Sequence, residues 1–148
     1  MRSKKVILEI TPQTHIRTTV GDRILFRIPR EKLKQSGLRR LIRIERYNQY
    51  KLDISALAKK KKFTFPPIGA SVKFFLPVPA SWSKTKKHQM NLQWHMVRKD
   101  LDNMMKALLD SLMKEDSHIA HFEAAKYWTN TDRGWIEITQ TFKDTRIE

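Results

Sequence analysis

Asp100-Leu101-Asp102-Asn103-Met104-Met105-Lys106-Ala107-Leu108-Leu109-Asp110-Ser111-Leu112 joins an acidic start to an apolar stripe. Leu101, Met104, Met105, Leu108, Leu109 and Leu112 recur at steps of three and four, which predicts an amphipathic helix over residues 102–113. Asp102 stands where an N-cap belongs, and Asp is among the best N-caps. If the chain arrives extended, residues two apart point the same way. Asp100 and Asp102 then project together while Leu101 enters the core. Two carboxylates on one side repel each other unless a cation lies between them, and hard oxygen ligands suit Mg²⁺ or Mn²⁺ rather than zinc. Lys106 follows Asp102 by four residues and Asp110 follows Lys106 by four, all on the polar face. Lys106 can form a surface ion pair there, or aim its ammonium at a reacting phosphate. A further acidic pair, Glu115-Asp116, follows the helix. Asp116 can reach the same cation if the next strand lies beside the incoming segment. Spacing alone is equally compatible with a cation site and with an ordinary helix start.

On the C-terminal side, residues 119–127 read as a strand, 130–134 as a turn and 135–142 as a last alternating strand. On the N-terminal side, Ala70 to Leu76 is a strand with Val72, Phe74 and Leu76 on one face, ended by Pro77 and Pro79. Residues 81–97 form a basic excursion into the acidic segment and carry Trp82, Lys84, Lys86, Lys87 and Trp94. The two tryptophans suit burial as core better than stacking on bases. His88 and His95 read as surface or phosphate-contacting residues. After Pro29 comes a helical stretch with Leu38, Leu41, Ile42, Ile54 and Leu57 as a partial stripe, and Gly37 is placed to delay its start. Arg39, Arg40, Arg43, Arg46 and Lys51 occupy its polar positions and four lysines, 59–62, close it. That charge fits a solvated face, a helix C-terminus or DNA binding equally well. Residues 6–10 and 23–28 read as two strands, joined as a hairpin by a long basic loop.

The chain has 148 residues, 40% of them hydrophobic, which suits one compact domain over 1–148. It has no cysteine, which excludes disulfides and thiolate-bound zinc and fits a reducing cytoplasm. The apolar run at 6–10 is too short for a signal-peptide core, and no stretch approaches membrane-spanning length. The formal net charge of +15 favours polyanions, nucleic acid above all. Residues 1–62 hold 18 basic and 5 acidic residues, whereas 63–148 hold 12 and 10. One part is suited to phosphates and the other to cations.

The segment from Asp100 resembles the signature of the RusA family of Holliday junction resolvases: Asp-x-Asp-Asn, a lysine three residues after the Asn, then an Asp-Ala-Leu-like triplet. The family's acidic, small, polar, aliphatic continuation is matched by Glu115-Asp116-Ser117-His118-Ile119, and a lysine near the end of the next strand by Lys126. The motif-bearing match covers residues 99–126, with a looser extension to Phe142. The connection from Asp110 to Asp116 is shorter than the family's, and Glu115 stands where an Asp is usual. The family's Pro-Ser-x-Asn-Arg-like loop has a rough echo in Thr11-Pro12-Gln13-Thr14-His15-Ile16-Arg17. The resemblance implies a homodimeric α+β enzyme, with a small mixed sheet packed with two main helices, that cuts four-way DNA junctions with Mg²⁺, or Mn²⁺ in its place. It implies metal ligation by Asp100, Asp102 and Asp116 and a catalytic role for Lys106. Arg17, Lys84, Lys86, Lys87, Arg98, Lys99 and Lys126 are the candidate DNA-binding residues. The rival readings are a non-catalytic basic nucleic-acid-binding protein and a nuclease acting on forks or flaps. Zinc ligation by His118 and His121 is disfavoured, because three residues apart on a strand they face opposite ways.

Overall fold

Alternation in ASVKFFLP builds the central strand β2, Ala70–Pro77, which buries Ala70, Val72, Phe74 and Leu76 on one face. The computed structural model describes residues 4–140 of the chain. Residues 1–3, and Thr141 and Phe142 at the end of the expected last strand, lie outside the described residues. The other strands are β1, Lys4–Leu8, β3, Phe122–Thr129, and β4, Trp135–Gln140, in the sheet order β1-β4-β2-β3. β4 runs antiparallel to both β1 and β2, whereas β2 and β3 are parallel, from Ala70↔Phe122 to Pro77↔Thr129. Sheet and helices together make an α+β architecture with a mixed four-stranded sheet.

Two long helices cover one face of that sheet. α2, Gln35–Lys60, buries Leu41, Ile44, Tyr47, Tyr50 and Ile54. α4, Leu101–Leu112, buries Met104, Met105, Ala107, Leu108 and Leu109. They meet Val6, Leu8, Val72, Phe74, Leu76, Ile136 and Ile138 in one core. The other face carries an aromatic row. Trp135 stacks on Phe75 at 4.5 Å, Phe75 on Tyr127 at 5.5 Å, and Tyr127 on Trp94 at 4.8 Å. Trp94 is therefore not core: 58% of it is exposed. Trp82 is half-buried and packs against Trp128 at 4.9 Å.

Several expectations need correction. Residues 23–28 form no strand: 23–27 belong to α1, Val20–Arg27, and Ile28 is its C-cap, so β1 has no hairpin partner there and pairs with β4 instead. The period-two alternation misled because Ile24 and Phe26 are both exposed. The stronger local signal is a capping box, in which the Asp22 carboxylate accepts from the Thr19 N–H at 2.7 Å and Thr19 Oγ1 accepts from the Asp22 N–H. The excursion 81–97 contains a helix, α3, Lys84–Met90, capped by Ser83. The long helix starts at Gln35, before Gly37, after a 3₁₀ turn at Arg30–Lys32. The 119–127 strand begins later, at Phe122. α4 starts one residue before its expected start, so its N-cap is Asp100 and not Asp102.

Asp22 is buried and accepts from Arg40 Nε and Nη2, both at 3.1 Å. Arg40, followed by the Thr19 backbone N–H, holds the Asp22 carboxyl down at about 2. Such a carboxylate stabilises the fold above its unfolded value near 3.8, and the contribution is lost as pH falls toward 2. Asp22→Asn should therefore lower the melting temperature at pH 7 and flatten the stability–pH curve between pH 4 and 2. Thr19→Ala should cost about 1 kcal/mol in denaturant unfolding.

Candidate active site

Parallel strands cannot be joined by a hairpin. The chain between β2 and β3 must cross over, and residues 92–101 descend along the free edge of β3. The Leu92 N–H donates to Trp128 O at 2.8 Å, the Trp128 N–H to Gln93 O at 2.9 Å, and the His95 N–H to Lys126 O at 3.1 Å. The incoming segment thus lies beside the strand that follows α4, as the sequence reading required. His95 is buried against Trp128, 4.0 Å between ring centroids, and is not a surface residue. His88 is exposed.

The segment then tightens toward α4. Lys126 Nζ donates to Val97 O and to Lys99 O, both at 2.7 Å. Lys99 adopts a left-handed backbone, φ 85°, a conformation that costs a side-chain-bearing residue about 1–3 kcal/mol. Desolvation holds the Lys126 ammonium below the usual lysine range, while the nearby Asp100 carboxylate acts in the opposite direction. Lys126 is tied to backbone carbonyls beside Asp100.

Asp100 caps α4 without a side-chain hydrogen bond, which leaves its carboxylate oxygens open. Asp102 lies in the first turn, exposed, with Oδ1 accepting from the Asn103 N–H at 2.9 Å. Lys106 is exposed one turn further on. Asp102, Lys106 and Asp116 line one cavity of about 580 Å³, floored by Leu101, Met105, Leu109, Phe122 and Ala124. Asp100 is not part of that lining. Among the described residues no group of three His, Cys, Asp or Glu is gathered closely enough to hold a metal ion. The donor chemistry fits a hard divalent cation, since the available groups are carboxylates on a cavity shared with a lysine. Glu115 faces its own turn, where Oε1 accepts from the Ser117 N–H at 2.9 Å, and that bond holds its carboxyl below the usual range. His121 Nδ1 accepts from the Gly69 N–H at 3.3 Å.

The other expected residues are dispersed. Arg17, Lys84, Lys86, Lys87 and Arg98 do not line the cavity of Asp102 and Lys106. Lys86 sits over the Trp82 ring at 4.2 Å. Lys99 lines a separate groove with Arg43 and Arg46.

Sequence reading missed a cluster behind Lys106. His15 Nδ1 lies 3.0 Å from the Tyr47 hydroxyl and 3.5 Å from Asp110 Oδ2, and the His15 backbone N–H donates to Asn103 O at 3.0 Å. Burial pushes the His15 imidazole below its ordinary value, and Asp110 partly restores it. The loop carrying His15 is thereby fastened to the first turn of α4. The only signal in the sequence was the position of His15 inside the basic loop after β1.

A family model described as Endodeoxyribonuclease RusA matches residues 27–139. A Lactococcus phage r1t protein named Crossover junction endodeoxyribonuclease rusA is 37% identical over 101 residues, which cover 63% of this chain and 72% of that protein.

The two Lys126 hydrogen bonds should be measurable. Lys126→Met should destabilise the fold by about 2 kcal/mol in denaturant unfolding, in the range for bonds to a charged group. Hydrogen exchange should then speed up at residues 96–100 before the rest of the sheet.

Proposed function

The chain belongs to the RusA family of endodeoxyribonucleases, and we propose that it resolves four-way DNA junctions by paired, divalent-metal-dependent phosphodiester hydrolysis. The observation that carries this reading is the family motif placed at the start of α4, with Asp102 and Lys106 one turn apart on a cavity they share with Asp116. The family motif assigns Mg²⁺, or Mn²⁺ in its place, to Asp100, Asp102 and Asp116, three carboxylates that the cation would have to draw together. When bound, the cation supplies an activated water and stabilises the attacking and leaving oxygens. Lys106 offsets the charge that builds on the phosphoryl oxygens. Lys126 positions Asp100 through the backbone of Val97 and Lys99, and His15 holds the basic loop against Asn103. The net charge of +15 draws the DNA to the protein. Arg17, Lys84, Lys86, Lys87 and Arg98 extend that field over the surface. We take residues 1–148 as one endonuclease domain working on DNA in the cytoplasm.

A four-way junction offers two symmetric strands to cut, which calls for a C2 homodimer. The sheet face without helices supports one, because Trp135, Phe75, Tyr127 and Trp94 form a continuous apolar row on it. Trp94→Glu is expected to yield a folded monomer by sedimentation. A dimer unchanged by that substitution would move the interface elsewhere.

The decisive experiment offers labelled four-way junctions, forks, flaps and duplexes to the protein with Mg²⁺ and with chelator. Paired nicks on the junction alone, abolished by chelation, are expected. Preferential cutting of forks or flaps would replace the resolvase reading with another structure-selective nuclease. Asp102→Asn should retain junction binding and lose cleavage, whereas Lys106→Ala should slow it by about 10²–10³-fold, the usual cost of one charge-stabilising donor. Normal cutting by pure, folded Asp102→Asn protein would refute the site.

A further inference from the structure

Arg43, Arg46 and Lys99 line a groove of about 360 Å³ against the loop residues Thr11, Gln13 and Thr14. No acidic residue lines it. We propose that this groove is a second DNA-binding site, which takes the sugar-phosphate backbone of a strand flanking the cut. The proposal rests on the nuclease reading above and adds to it residues outside the acidic motif.

Arg43 and Arg46 stand three apart on α2, so they share one face of the helix. The buried face is occupied by Leu41, Ile44, Tyr47 and Tyr50, which leaves both guanidinium groups pointing away from the core. Their neighbour Arg40 provides the contrast. Its guanidinium is committed to Asp22 and to Arg17 O, and it fastens α1 to α2. Among the described residues Arg43, Arg46 and the Lys99 ammonium form no ion pair. Three unpaired cations around one groove repel each other, and a polyanion relieves that repulsion. Guanidinium groups also match phosphate oxygens through paired N–H donors.

The groove adjoins the active site through the chain itself. Lys99 precedes Asp100, and its backbone is set by the left-handed φ and by Lys126. The loop forming the other wall is pinned to the first turn of α4 by His15. The groove and the cavity of Asp102 and Lys106 are thus only a few residues apart along the chain, from Lys99 to Asp102. Threonine and glutamine side chains in the loop supply neutral hydrogen-bond donors to the same phosphates.

The test compares the intact protein with Arg43→Gln/Arg46→Gln and with a control, Arg23→Gln/Arg27→Gln, which removes the same charge from α1. Junction binding is measured in chelator over a salt series, and junction cutting is measured in Mg²⁺. Both arginines of the groove are exposed, so the melting temperature should not change. The groove variant is expected to bind about tenfold more weakly, with a log affinity–log salt slope shallower by about 2, since each lost phosphate contact removes about 0.9. Its KM should rise by a similar factor with kcat within about twofold. Equal losses in groove and control variants would mean that only net charge matters, which overturns the proposal. So would a groove variant with the slope and KM of the intact protein. If the intact protein cuts junctions in either of those cases, the nuclease reading stands and the groove alone fails. An intact protein that neither binds nor cuts DNA would sink both.

Discussion

The parallel pairing of β2 and β3 is the constraint on which the rest of the molecule depends. A hairpin cannot connect two parallel strands, so residues 78–121 must leave one end of the sheet and return to the other. A return path of that kind needs a helix, and its apolar side must face the sheet. α4 meets that need with Met104, Met105, Leu108 and Leu109. Its polar side then looks outward, with Asp102 and Lys106 on it. The acidic motif is exposed because the crossover buries the opposite side of the same helix. The descent into α4 along β3 has a second effect. It places Lys126, in the middle of β3, beside the carbonyls of Val97 and Lys99.

Charge is divided between holding the fold and meeting a ligand. Asp22 and Arg40 form a buried-to-surface pair with all of the carboxylate's oxygens engaged, and they set how α1 lies on α2. Arg30 pairs with Glu45, and Lys5 with Glu137 at 3.5 Å. Such surface pairs contribute little stability each. What they do is remove particular cations from the pool free to bind DNA. With 30 basic residues against 15 acidic ones, at least half of that pool has no acidic partner of its own. The useful distinction is therefore positional. Arg43, Arg46 and Lys99 stand together on one groove, while Arg40, only three residues from Arg43, is spent on the fold.

Much of this was legible in the sequence. The stripe from Leu101 to Leu112 gave α4, and alternation gave β2 and β4, because each buries one clean face. The family motif brought Asp100, Asp102, Lys106 and Asp116 forward together. Residues 23–28 were misread because Ile24, Phe26 and Ile28 imitate a strand's period while none of them enters the core. The capping box at Thr19 and Asp22 was the better guide, since it satisfies backbone donors whatever the tertiary context. Residues 81–97 were read only as a basic excursion, without their helix or their pairing with β3. Their order comes from pairing with β3 and from the Trp82–Trp128 and Trp94–Tyr127 contacts, which join residues more than thirty apart. His15 was hidden for the same reason: its partners Tyr47, Asn103 and Asp110 lie on two distant helices.

Lys99 shows how the site and the fold are traded against each other. A lysine in the left-handed region is disfavoured by about 1–3 kcal/mol, and glycine would relieve that cost. The chain holds it there through a partly desolvated ammonium, that of Lys126, with two carbonyls to bind. Glycine would lose the cation that faces the groove, and without the left-handed turn the chain could not bring Asp100 to the start of α4 in its present direction. The strain thus sits at a residue that supplies both a bend and a positive charge. A local rule of conformation is broken there, and a neighbouring interaction offsets the breach.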